Sequence, residues 1–158
     1  MLDQDSVKQE VIHSFGDAYK AFGLNRLMGN VVGLLIANNE PMSLDEITET
    51  LGMSKGPISQ ITRRLAERGL IRKAWKPGNR KDYWEASGDI FGAAFRNHYS
   101  MIRSNTRLSH HLIELAAGNP DSTVNRNRLD EMEKFYTLME KHFKAFTEEW
   151  AEVRKSET

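Results

Sequence analysis

Between Ser54 and Arg64 the sequence SKGPISQITRR sets side chains that can bond to nucleobases and phosphates at helical spacing. At about 100° per residue, Gly56, Ser59, Gln60 and Arg63 share one face, while Ile58, Ile61 and Leu65 form the opposite, inward stripe. A glutamine amide can pair two-pronged with adenine and an arginine fork with guanine, so this face is suited to reading base edges. Ser54, Lys55 and Thr62 are predicted to hold phosphates near a helix N-terminus, where free backbone N–H groups already favour anions, and Arg64 adds charge beside them. A polar face of this kind also suits plain solvent, so an ordinary two-helix core segment is the competing reading.

Other chemistry finds little support. The chain has no cysteine, which removes disulfides, thiolate catalysis and cysteine-based zinc sites together. Five histidines stand at positions 13, 98, 110, 111 and 142, without a second ligand at the spacing a metal needs. His110 and His111 are adjacent and would point about 100° apart on a helix, too far to share an ion. No nucleophile elbow, phosphate-cradling glycine loop or paired-carboxylate site is present, so neither an enzyme nor a metal or other cofactor is expected.

The base-reading face needs elements to position it. Ser43 precedes Glu46 by three residues, the spacing of a reciprocal cap at a helix start, and Leu44, Ile47 and Leu51 follow on one stripe. Gly52 ends that helix, Ser54 is placed to cap the next, and Pro57 falls in its first turn, where a missing N–H costs nothing. Ser43 to Arg68 is therefore a helix-turn-helix. Leu70 to Trp75 and Lys81 to Ala86 are strand-like runs flanking the turn-forming, basic Lys76-Pro77-Gly78-Asn79-Arg80, which makes the whole a winged helix. From Met53 to Trp84 nine cations face two carboxylates, a balance of +7 in a chain of net charge zero. Such segregation is the footprint expected for a phosphate backbone, with Lys76, Arg80 and Lys81 at the wing tip and Arg80 entering the minor groove.

With 158 residues and ordinary apolar and charged fractions, the chain can form one soluble core with an extension. Its longest apolar run, Val31 to Ala37, is far short of the roughly 20 residues that cross a bilayer, and no leader opens the sequence, so no membrane partner and a cytoplasmic location are expected. From Asp5 to Phe22 an apolar face wider than a surface helix needs includes Val7, Val11, Ile12, Phe15, Tyr19 and Phe22. Gly23 stops this helix, Asn25 caps the next, and Gly29 and Gly33 let a neighbour approach closely. After the wing, Phe91, Phe95, His98, Ile102, Ser109, Leu112 and Ala116 approximate a heptad seam that weakens from Ser104 to Arg107. Gly118 to Ser122 breaks the chain, and a last helix runs from about Val124 toward Val153. Leu129, Met132, Tyr136, Met139, Phe143, Phe146, Trp150 and Val153 alternate steps of three and four in it, an a/d seam that demands a partner. These eight residues are the predicted dimerisation surface. Tyr19, Phe22, Phe91, Phe95, Tyr99 and Trp150 form an aromatic set that can line a small-molecule effector pocket, with ordinary core packing the weightier alternative.

The run from Gly23 to Ser87 resembles the winged-helix domain of MarR-type regulators, specifically the branch of the glycine-betaine-synthesis repressor, GbsR. The Ser54-Lys55-Gly56-Pro57-Ile58-Ser59 start, the Arg68-Gly69-Leu70-Ile71 junction and Arg80 carry the likeness, and Arg128 to Trp150 is similar to that branch's closing helix. Gly29-Asn30 departs from it, since glycine followed by arginine is expected there. The resemblance implies a homodimeric, DNA-binding transcriptional regulator with double-stranded operator DNA as partner, and that branch includes choline-responsive members. The expected architecture is mainly α with a small β-wing: an N-terminal helix over 1–23, a winged helix-turn-helix domain over 24–87 and a helical dimerisation region over 88–158. A winged-helix protein-interaction adaptor without specific DNA binding is the alternative.

Overall fold

The computed structural model describes residues 4–156. It divides into two compact units, residues 1–93 and 94–158. In the first, α1 (Gln4–Ala21) and α2 (Arg26–Ala37) pack on each other, so the N-terminal helix is part of the winged-helix unit. Asn25 opens α2 by accepting a hydrogen bond from the Leu27 N–H at 2.8 Å. The helices meet almost backbone to backbone. A Cβ on Gly29 would stand 2.3 Å from the Phe15 carbonyl oxygen, so that position needs glycine, while one on Gly16 would meet Asn30 Oδ1 at 2.0 Å and push that side chain aside. Asn30 Oδ1 is itself buried without a hydrogen-bond partner, so the departure at this position is turned into the α1–α2 crossing.

Next come β1 (Met42–Ser43), α3 (Leu44–Leu51), α4 (Lys55–Glu67), β2 (Ile71–Ala74) and β3 (Tyr83–Ala86). The cap on α3 is complete. The Glu46 carboxylate accepts from the Ser43 N–H at 2.6 Å while the Ser43 hydroxyl accepts from the Glu46 N–H at 3.2 Å. Gly52 then ends α3 in the left-handed region, at φ 61°. Ile47, Ile58, Leu65 and Ile71 seal the core between α2, α3, α4 and the sheet. That sheet has three antiparallel strands in the order β1-β3-β2, with Met42 opposite Trp84 and Lys73 opposite Trp84 from the other side. The sequence reading gave two strands. The third is two residues long and carries no periodicity of its own.

α5 (Ile90–Ala117) begins in the first unit, where Asp89 accepts from the Gly92 N–H at 3.2 Å. Its remainder and α6 (Arg126–Ser156) make up the second unit as an antiparallel hairpin: Phe95 lies on Phe143 and Phe146, Arg103 faces Glu140 and His110 faces Glu133. α5 runs unbroken through residues 104–107. Hydroxyls there bond to their own helix, Ser104 to the Ser100 carbonyl and Thr106 to that of Ile102, so the weak stretch of the seam costs no backbone pairing. The Arg126 guanidinium caps the end of α5 by donating to the Ala116 carbonyl at 2.7 Å.

Candidate nucleic-acid interface

α4 owes its orientation to one stripe. Ile58, Ile61 and Leu65 are buried, and the opposite face presents Gln60, Arg63 and Arg64 to solvent with Ser59 half-buried. Thr62 is a correction to the predicted phosphate-binding set. It follows Ile61 and is one turn from Ile58, which turns it inward. Its side chain is 1% exposed, and its hydroxyl donates to the carbonyls of Ile58 at 3.0 Å and Ser59 at 3.1 Å. Ser54 occupies the N-cap position with extended backbone, yet its hydroxyl makes no cap bond, so the first N–H groups of α4 face outward uncapped by it. Gly56 is bordered by open space, with no atom within 4 Å of where a Cβ would stand.

The wing continues this surface. Gly78 takes a left-handed conformation at φ 77°, and the turn is tied by Asn79, which donates from Nδ2 to the Tyr83 hydroxyl at 2.6 Å and accepts from the Lys81 N–H at 3.1 Å. Lys76 Nζ lies 4.6 Å from the centre of the Tyr83 ring. Lys73, Ala74, Trp75, Asn79, Arg80, Lys81 and Asp82 line a hollow on one side of the hairpin.

Ion pairs sort the cations of this patch. Arg72 pairs with Glu85 at 2.6 Å and Lys73 with Asp82 at 2.7 Å across the hairpin, while Lys55 and Lys81 both reach Asp45, at 2.7 and 3.1 Å. Among the described residues, Arg63, Arg64 and Arg80 are exposed and have no carboxylate partner. The charge left without a carboxylate partner thus includes two arginines of α4 and, in the wing, Arg80 and the Lys76 that lies over Tyr83. Lys55 and Lys81, bonding to Asp45 first and then attracted by its charge, hold that carboxyl below its usual range.

Two residues escaped the sequence reading. Asp45 precedes the basic stretch from Met53 to Trp84 and enters the patch only through the fold. Trp75 is 79% exposed at the base of the wing loop, beside Lys73 and Arg80 in the hollow. A tryptophan next to Lys76-Pro77-Gly78 was the available signal, since an apolar ring in a polar turn finds no core to enter.

The other predicted sets are distributed as follows. In the second unit Phe95 and Phe143 are stacked with centroids 4.6 Å apart, and Tyr99 lies 6.4 Å from Phe143, so these rings pack on one another rather than around a space. In the first unit Tyr19 is half-buried, Phe22 is 81% exposed and Phe91 edges a hollow shared with Leu35, Ile36 and Ile90. Burial pushes the Tyr19 phenol up. Along α6, Leu129, Met132, Tyr136, Met139, Phe143 and Trp150 are half-buried, and Phe146 and Val153 are exposed. Among the described residues no group of three or more histidines and carboxylates is placed to hold a metal.

Two helices joined through a left-handed glycine and followed by an antiparallel hairpin define a winged helix-turn-helix, with α4 as its presented helix. Residues 34–83 match the MarR family, the stretch from the end of α2 to β3. Among similar proteins, YvaV of Bacillus subtilis (strain 168), whose name assigns it provisionally to the HTH-type transcriptional regulators, is 29% identical over 109 residues, 67% of this chain and 62% of that protein. The HTH-type transcriptional repressor OpcR of the same organism is 29% identical over 87 residues, 55% of this chain and 47% of its own length. The chain therefore spans about half to three-fifths of these relatives. A crystal structure described as that of a transcriptional regulator has the same fold, with a TM-score of 0.77 at 23% identity over 92% of this chain and 98% of that one. The solved structure shows the fold, and the likeness to the MarR family falls on residues 34–83. No helix among the described residues is long and apolar enough to cross a membrane.

Proposed function

We propose that this chain is a sequence-specific DNA-binding transcriptional regulator that acts as a homodimer, with α4 in the major groove and the wing in the adjacent minor groove. The observation that carries the reading is the pairing of an exposed Gln60–Arg63 face on α4 with Arg80 on the wing, all three without a carboxylate partner among the described residues. An amide and an arginine fork are the groups that distinguish adenine and guanine in the major groove, and a lone arginine suits a narrow minor groove. The names of YvaV and OpcR, which class the first provisionally as an HTH-type transcriptional regulator and the second as an HTH-type transcriptional repressor, support the same reading. The likeness at Ser54 to Ser59 and at Arg80 favours the GbsR-like branch within it. In a symmetric dimer the two recognition helices enter successive major grooves about 34 Å apart, which calls for a near-palindromic operator.

Electrophoretic retention of the DNA upstream of the protein's own gene, with heparin as competitor and over a salt series, tests the proposal. Retention should survive heparin and weaken steeply with salt, because neutralised phosphates release counterions. Arg63→Ala should cost about 1–3 kcal/mol on the retained DNA and far less on random DNA. A flat salt response would favour the adaptor reading, and equal losses on both DNAs would reduce Arg63 to a phosphate contact.

A further inference from the structure

The Asp45 carboxylate, in the first turn of α3, joins two lysines that belong to two other elements. Its Oδ1 is 2.7 Å from Lys55 Nζ at the start of α4, and its Oδ2 is 3.1 Å from Lys81 Nζ in the wing loop. Each of the three side chains is at least half exposed, so burial does not impose the arrangement. A carboxylate holding two ammonium groups in this way resembles a backbone phosphate in charge and in its acceptor oxygens. It also stands between the N-terminus of the presented helix and the wing, where a duplex engaged by both would run its backbone. The triad carries +1 in place of the +2 of the lysines alone. Arg63, Arg64 and Arg80 carry no such neutralising partner among the described residues.

We propose that Asp45 is an internal substitute for DNA phosphate, occupying Lys55 and Lys81 until a duplex displaces it and so holding down the sequence-independent, electrostatic share of binding. This rests on the DNA-binding function proposed above. The physical reason is competition. A phosphate approaching either lysine must break an ion pair and settle beside a carboxylate, while one approaching Arg64 or Arg80 meets neither obstacle. Binding to arbitrary DNA is almost entirely electrostatic and bears this handicap in full. Binding to an operator bears the same handicap but adds base contacts to the electrostatic share, so it can stay tight where binding to arbitrary DNA becomes weak.

The test uses the full chain and a fluorescein-labelled, mixed-sequence duplex of about 30 base pairs, with anisotropy followed over a salt series of about 50–300 mM. Asp45→Asn removes the charge and keeps the shape. It should bind this duplex about five- to tenfold more tightly at low salt, and the slope of log K against log salt should steepen by about one to two per protomer, each phosphate contact contributing about 0.9. Lys55→Gln and Lys81→Gln added to Asp45→Asn should bring the slope back to the parent value or below it. Asp45→Ser, which keeps a small polar group in the first helical turn, serves as the second variant if Asn lowers the melting temperature. An unchanged slope with unchanged or weaker binding overturns the proposal and makes Asp45 a strut between helix and wing. A parent chain that does not bind the duplex at all overturns the DNA-binding reading itself.

Discussion

At the scale of single residues, the presented face of α4 is defined as much by what is missing as by what is there. Gly56 lies in the first turn of a helix with open space around its missing Cβ, and its φ is not positive, so nothing within the chain requires glycine. Exposed glycine in a helix costs about 0.5–1 kcal/mol relative to alanine, and that cost is understandable if another backbone must pass close to this point. Gly56→Ala should therefore raise the melting temperature while weakening retention of the operator. A variant that is both more stable and binds equally well would show that no DNA strand approaches Gly56. Ile58, Leu65, Gln60 and Arg63 were assignable from helical spacing, and Ile61, at the edge of the buried stripe, from its apolar side chain. Thr62 was not: it sits at the margin of the buried stripe, where a hydroxyl can either face water or return to its own helix. Asp45 was beyond reach for a different reason, since its partners are 10 and 36 positions away and meet it only once α3, α4 and the wing have packed.

At the scale of elements, the helix-turn-helix is fixed by local chemistry that the sequence states openly. Ser43 and Glu46 make the predicted reciprocal cap, Gly52 supplies the left-handed turn, and Gly29 packs against α1 as the spacing implied. β1 and the continuity of α5 were harder to read, for a two-residue strand has no period and buried hydroxyls look like a break in a heptad. The cap also makes α3 sensitive to acid. The backbone N–H of Ser43, followed by its hydroxyl, holds the Glu46 carboxyl below its ordinary value of 4.5. A carboxyl whose pKa is depressed in the folded state contributes stability that is fully present above the unfolded value and is lost as pH falls through the folded one. At neutral pH, Glu46→Ala should thus cost about 0.5–2 kcal/mol, the usual range for a lost cap. The gap in melting temperature between parent and variant should narrow as pH is taken from 6 to about 3. A gap that stays constant over this range would mean that the cap acts through shape and not through charge.

At the scale of the whole molecule, α6 requires an explanation that its own hairpin does not provide. It is 31 residues long, yet no residue along it is buried. α5 covers part of the a/d seam through Phe95, but Phe146 and Val153 remain exposed, and a second set outside the seam, Phe135 at 58% and Leu138 at 56%, lies open as well. In the other unit Val7 of α1 and Phe22, just past its end, are exposed. Apolar side chains in such number on one helix exceed what soluble monomers usually expose, and a second copy of the chain is the occupant that the dimeric reading requires. The full chain should then scatter light as a particle of twice 18.1 kDa over a wide concentration range. Phe135→Glu with Leu138→Glu should shift it toward the monomer, because charge on both exposed positions cannot be buried without a partner. Such a monomer keeps its arginines, so its affinity for random DNA should change little while operator binding collapses, two half-sites no longer being held together. A parent chain that scatters as an 18.1 kDa monomer and still binds a palindromic operator tightly would rule out the dimer, and the open face of α6 would then belong to a different partner.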